Sequence, residues 1–120
     1  MAGRATAGRT SGHRRRIGGR IGGKIGMAVV RGESMEPTLS AGDRLLVSYG
    51  ARVRPGHVVV ARFPDDTLVI KRASERRGVR WWLVGDNPEQ STDSRHRGAI
   101  APDDVLGVAR LRVWPRPQVL

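Results

Sequence analysis

Short apolar runs cut apart by turn-forming residues decide what this chain can fold into. Residues 44–47, 57–63, 68–72, 79–84 and 105–114 are rich in Val, Leu, Ile and Trp, and each is the length of a strand. Between them stand Ser40-Ala41-Gly42-Asp43, Pro55-Gly56, Pro64-Asp65-Asp66 and Asp86-Asn87-Pro88, clusters that end regular structure and reverse the chain. Five or more strands and no convincing helix predict an all-β, small barrel-like fold. In the last run Leu106 and Val108 fall on one parity and Leu111 and Val113 on the other, which predicts a β-bulge at Ala109-Arg110. Pro115 and Pro117 then close the domain.

The chain has 120 residues, 38% of them apolar, enough for one core and too few for two domains. No run approaches the roughly 20 apolar residues of a membrane-spanning helix. Cysteine is absent, which excludes disulfides, thiol nucleophiles and thiolate metal sites, so covalent chemistry falls to Ser, Thr or Lys.

The net charge of +11 is unevenly spread. Residues 1–26 carry seven Arg and Lys and no acid, together with half of the chain's 16 glycines. So few apolar groups cannot offset the entropy of ordering, and this stretch reads as a disordered Gly/Arg-rich arm, with the folded domain over 27–120. Ile17, Ile21 and Ile25 would form an apolar stripe on a helix, but the interleaved glycines oppose that helix and no export signal's apolar segment is present. Met27 is itself a candidate start.

The most unusual local sequence is Gly32-Glu33-Ser34-Met35-Glu36-Pro37-Thr38-Leu39, which sets a serine in a proline-stiffened loop after an apolar strand. A held, exposed hydroxyl of this kind suits a nucleophile, and a nucleophile needs a base. The histidines are poorly placed: His13 lies in the arm, His57 follows a Pro-Gly turn, and His96 sits between arginines. Lys71 ends the apolar run Leu68-Val69-Ile70, where desolvation lowers the pKa of an amine until it can accept a proton. A polar loop, Gly85-Asp86-Asn87 through Ser91-Thr92-Asp93-Ser94-Arg95, follows the next apolar strand.

In this order the segments resemble the type I signal peptidase family of Ser/Lys proteases. Gly32-x-Ser34-Met35-x-Pro37-Thr38-Leu39 is similar to its nucleophile box and residues 54–60 to the strand box that follows. Ile70-Lys71-Arg72 is similar to the base box, and Gly85-Asp86-Asn87 with Ser91-x-Asp93-Ser94-Arg95 to the last. The resemblance implies the compact β fold shared by signal peptidases and repressor proteases, with Ser34 as nucleophile and Lys71 as general base. It further implies Ser91 beside the Lys71 amine, a supporting Asp93–Arg95 ion pair, and Met35, Arg72 and Asp86 as supporting residues. The oxyanion would meet backbone N–H at Ser34, and Gly32 offers no side-chain donor there. His57 stands where relatives usually have Asp.

The short, cysteine-free chain is similar to the soluble branch of that family that trims the leader of nickel-type superoxide dismutase. That implies a cytoplasmic serine endopeptidase that needs no cofactor and binds its precursor as an extended strand. A general processor of secretory preproteins, peripheral at the membrane through weak contact of its basic arm with anionic lipid, is the alternative within the same chemistry. Repressor-type self-cleaving proteases share the Ser–Lys pair but carry a DNA-binding domain. From another class, a pI near 11.7 suggests a basic nucleic-acid-binding β-barrel, although few aromatics are available to stack on bases. No specific nucleic acid is expected.

Overall fold

The structure, a computed structural model, describes residues 4–7 and 24–120. Eight strands are found among them: β1 (Arg4–Ala7), β2 (Ile25–Arg31), β3 (Arg44–Tyr49), β4 (Val58–Arg62), β5 (Leu68–Arg77), β6 (Arg80–Val84), β7 (Val105–Trp114) and β8 (Gln118–Val119). A one-turn helix, α1 (Ser94–Arg97), and two 3-10 turns, Pro88–Gln90 and Pro102–Asp104, are the helical pieces. The fold is all-β and barrel-like, as the pattern of runs predicts.

Every strand pairing is antiparallel, in the order β1-β2-β3-β7-β4-β5-β6, with β8 on the side of β7. Because β1 also meets β5, at Arg4 opposite Val69, six strands close a ring, and β6 extends the sheet beyond it. Two clusters fill the molecule. One gathers Ala28, Val30, Met35, Leu39, Leu45, Val47, Val60 and Ile70; the other gathers Val59, Ala61, Phe63, Val69, Ala73, Trp81, Leu83 and Ile100. β4 supplies both, Val58 and Val60 to the first and Val59 and Ala61 to the second. This is why its sequence is a continuous apolar run, whereas β3 alternates buried Leu45 and Val47 with more open neighbours.

The expected bulge is present. Leu46 faces Leu111 and Val47 faces Ala109, so Arg110 is the extra residue and its side chain turns to solvent.

Some details differ from the sequence reading. Within the stretch read as the arm, the backbone of Arg4–Ala7 pairs with Ala28–Arg31, and β2 already begins at Ile25. The helix or coil choice for the Ile17 and Ile21 stripe lies outside the described residues. β5 runs past residue 72 to Arg77, where its side chains are polar. Its stabilisation there comes across the strand pair: the Arg77 guanidinium lies 3.6 Å from the Trp82 ring centroid, and Arg76 lies 5.3 Å from that of Trp81. Finally, residues beyond Pro115 add β8 rather than simply closing the domain.

Candidate active site

β2 delivers the chain to Gly32, whose φ of 75° lies in the left-handed region that glycine enters without strain. The turn that follows carries Ser34. Its far end is pinned inside: Met35 and Leu39 are buried in the first core cluster, and the Leu39 N–H donates to the Met35 carbonyl at 2.9 Å. Ser34 is fully buried, contrary to the exposed hydroxyl the sequence suggests. The distant Gly85-Asp86-Asn87 loop lies against the Ser34 backbone. Asn87 donates its backbone N–H to the Ser34 carbonyl (2.8 Å) and its side-chain amide to the Glu33 carbonyl (3.1 Å).

Asp86 ties this loop to the strand that carries Lys71. Its carboxylate accepts the Thr38 hydroxyl at 2.6 Å and the Arg72 guanidinium twice, at 2.9 and 2.7 Å, while Arg72 also donates to the Gly56 carbonyl at 2.8 Å. Burial alone would raise the Asp86 carboxyl, but the Arg72 and Thr38 bonds override it and hold it below the usual carboxylate range. Thr38 and Asn87 are contacts that sequence reasoning assigned no part, since each depends on a partner far along the chain.

Lys71 is fully buried on β5, and its Nζ donates to Ser91 Oγ at 3.0 Å. The Ser91 hydroxyl donates in turn to Asp93 Oδ2 at 2.9 Å. With its single proton committed, Ser91 presents only lone pairs to the amine, which fixes the direction of one Lys71 N–H.

Asp93 is a buried hub. It accepts the Gly85 N–H (2.8 Å), the Arg95 N–H (3.1 Å) and the Arg95 guanidinium at both oxygens (2.9 and 2.6 Å). Burial would raise this carboxyl, yet the Arg95, Gly85 and Ser91 donors together hold it well below the usual carboxylate range. The Lys71 amine is pulled from 10.5 to about 8, because burial strips water from the ammonium. The Asp93 charge pulls it back up, and Arg95 adds to the lowering.

Asp93 also caps α1, where the Asp93 N–H meets His96 Nδ1 at 3.5 Å. Ser94, another buried residue given no part from sequence, accepts the Leu83 N–H at 2.9 Å and so docks the loop onto β6. His57 is occupied locally, its Nδ1 accepting the Arg54 N–H at 3.0 Å.

Gly85 is where the two halves of the site touch. A Cβ there would stand 2.7 Å from the Ser34 carbonyl oxygen and 2.7 Å from Ser91 Cβ, with Ser91 Oγ nearer still. The Ser34 loop and the Ser91 hydroxyl that holds Lys71 are therefore adjacent across a glycine. Gly85→Ala is expected to push them apart, with peptidase activity falling at least about tenfold and stability by about 1–3 kcal/mol. Activity and melting measurements on the purified variant check this, and wild-type behaviour in both would show that the contact relaxes freely.

A buried serine, on a loop that adjoins the hydroxyl holding a buried lysine of lowered pKa, suits proton transfer and acyl chemistry. A family model of "Peptidase S24-like" proteins matches residues 12–108. The chain belongs to the Peptidase S24-like family. This S24-like chain is 34% identical to the mitochondrial ATP-independent inner membrane protease subunit 1a of Arabidopsis thaliana, over 72% of its own length and 68% of the relative's. It is 32% identical to the mitochondrial inner membrane protease subunit 1 of Xenopus tropicalis, over 76% and 71%. The LexA repressor of Bordetella avium is 36% identical over 85 residues, a match that covers 70% of this S24-like chain but only 37% of the repressor.

Proposed function

We propose that this S24-like peptidase is a serine endopeptidase that works with Ser34 as nucleophile and Lys71 as general base, and that it removes an N-terminal leader from a precursor protein. The observation that carries the reading is the Lys71 amine: fully buried, lowered to about 8, and aimed by Ser91 and Asp93. Neutral Lys71 takes the proton of the Ser34 hydroxyl, and the serine oxygen attacks the scissile carbonyl carbon. The resulting ammonium then protonates the departing amine as the C–N bond breaks, leaving an ester on Ser34. Water, deprotonated by the same amine, hydrolyses that ester and restores the hydroxyl.

The oxyanion is met by backbone N–H at Ser34, and Gly32 adds no side-chain donor. The Arg72–Asp86–Thr38 contacts and the Arg95–Asp93–Ser91 contacts hold the nucleophile loop and the base strand in place. No metal or organic group enters any of these steps.

For the substrate, the sequence resemblance favours the precursor of nickel-type superoxide dismutase, bound as an extended strand beside the Ser34 loop, in the cytoplasm. The names of the inner membrane protease relatives favour the alternative, processing at a membrane surface. Mass spectrometry of a dismutase precursor and of a secretory preprotein, each incubated with wild type and with Ser34→Ala, separates the two. Cleavage of the dismutase leader alone supports the maturation role, and cleavage of the preprotein supports the alternative. Cleavage that survives in Ser34→Ala overturns the nucleophile assignment, and no cleavage of either overturns both substrates.

A further inference from the structure

The Pro55-Gly56 turn sets His57 between two arginines that no carboxylate balances. The turn is firmly pinned. Gly56, with a φ of 96°, donates its N–H to the Ala73 carbonyl (2.7 Å) and accepts an Arg72 guanidinium N–H at its own carbonyl (2.8 Å). The His57 N–H donates to the Arg54 carbonyl at 3.1 Å, and the His57 carbonyl accepts the Ala73 N–H at 2.8 Å. The ring is fixed as well, because the Arg54 backbone N–H, which can only donate, meets His57 Nδ1 at 3.0 Å. Neutral His57 therefore carries its proton on Nε2, as a donor.

The cations come from two elements. Val108 of β7 is opposite Val59 of β4, and this antiparallel register, carried on by two residues, brings Arg110 beside His57; Arg110 is the bulge residue whose side chain turns to solvent. Arg54 is exposed on the loop itself. Burial, and then the charges of Arg110 and Arg54, push the imidazole below its usual range, so both guanidiniums lie within electrostatic reach of it. β5 presents only Ala73 here, and among the described residues no acid forms an ion pair with any of the three. The histidine of α1 is the contrast: beside His96, Arg95 is held by Asp93 (2.6 Å) and Arg97 by Asp65 (3.1 Å).

We propose that Arg54, His57 and Arg110 form a binding site for a tetrahedral oxyanion of the phosphate class. The site stands apart from the peptidase reading of Ser34 and Lys71. Its three side chains offer donors only, and the two guanidinium charges suit a dianion with three or more oxygens, whereas a carboxylate has one charge and would leave a donor idle. The loop is fixed before the ligand arrives, so little beyond the two arginine side chains has to be ordered. A bound dianion offsets both guanidinium charges and therefore raises the His57 pKa. Protonation of Nδ1 gives up the Arg54 N–H bond with or without the anion, so that loss leaves the direction of the change unaltered.

Histidine NMR of the full chain tests this, with inorganic sulfate as the probe because it stays dianionic where imidazoles titrate, and with His57→Gln to assign the signal. The expected result is a saturable rise of about one pH unit in the His57 midpoint, relative to sodium chloride at matched ionic strength, with no comparable sulfate-dependent change in the His96 signals. Arg54→Gln and Arg110→Gln should each weaken sulfate binding at least about fivefold. A rise that chloride reproduces, that His96 shares, or that survives in both variants marks an adventitious ion only and overturns the site. Inorganic phosphate at neutral pH should move the same signals, and no response to it would overturn the phosphate class. Vesicles of phosphatidylcholine with phosphatidic acid separate the two sources of that group: sedimentation lost in Arg110→Gln assigns the lipid headgroup, and sedimentation indifferent to Arg110 assigns free phosphate.

Discussion

Lys71→Met is expected to lower kcat/KM at least about a thousandfold while making the protein more stable at neutral pH. On the proposed mechanism the loss follows from the missing base. The gain follows from the cost of burying an ammonium. In the folded chain Lys71 titrates at about 8, below its ordinary 10.5. Below pH 8 the group is charged in both folded and unfolded chains, and the native state bears the whole penalty.

Between 8 and 10.5 the folded protein releases the proton first, so wild-type stability climbs by roughly 3 kcal/mol, and above 10.5 the penalty is gone. The Met variant should therefore exceed wild type by about 1–3 kcal/mol at pH 7, after allowing for the Ser91 contact it loses, and the advantage should vanish near pH 10.5. Denaturant melts at both pH values check this. In wild type, kcat/KM should rise with pH along a limb centred near 8, where the amine becomes neutral. Lys71→Arg, which keeps the charge but cannot deprotonate, should be inactive, and activity in that variant would remove Lys71 from the base role.

Asp93→Asn has the second largest expected effect. The buried carboxylate accepts the Gly85 N–H, the Ser91 hydroxyl and the Arg95 guanidinium, and an amide offers one acceptor oxygen in place of two. Stability should fall by about 2–4 kcal/mol, short of a fully buried pair because the Arg95 head group reaches water. Maximal activity should fall as well, because Ser91 loses the acceptor that aims it at Lys71.

A merely structural role would leave the pH profile in place, whereas here the acid limb should move. Asp93 favours the Lys71 ammonium and Arg95 opposes it, so removing the carboxylate shifts the limb below pH 8. A pH–rate profile of the variant reads this directly, and an unmoved limb would mean that Asp93 does not act on Lys71.

Much of this was legible in the residues themselves because the information was local. Continuous Val58-Val59-Val60-Ala61 marks a strand buried on both faces, and the parity change at Arg110 marks the bulge. The base box and the last box name Lys71, Ser91, Asp93 and Arg95, which a chain of hydrogen bonds joins in the structure. What escaped depends on partners distant in sequence. Glu75–Arg77 look like loop until the β6 tryptophans are placed across from them. The Ser34 loop is tied down by Asn87 from far along the chain, and the need for glycine at 85 arises only when the Ser34 carbonyl and Ser91 close on it. Nothing in Arg-Ala-Thr-Ala marks β1 as a strand, since its pairing is supplied by the open edges of β2 and β5.

β4, shared by the two core clusters, also governs how the molecule comes apart. Each of its four buried residues faces one cluster or the other, so peeling either cluster open strips the same strand of half its packing and exposes backbone that β5 and β7 had paired. Neither half retains a finished interior without the other. The barrel is therefore expected to melt as a single cooperative unit, with the Ser34 and Lys71 sides of the site gained or lost together rather than one at a time.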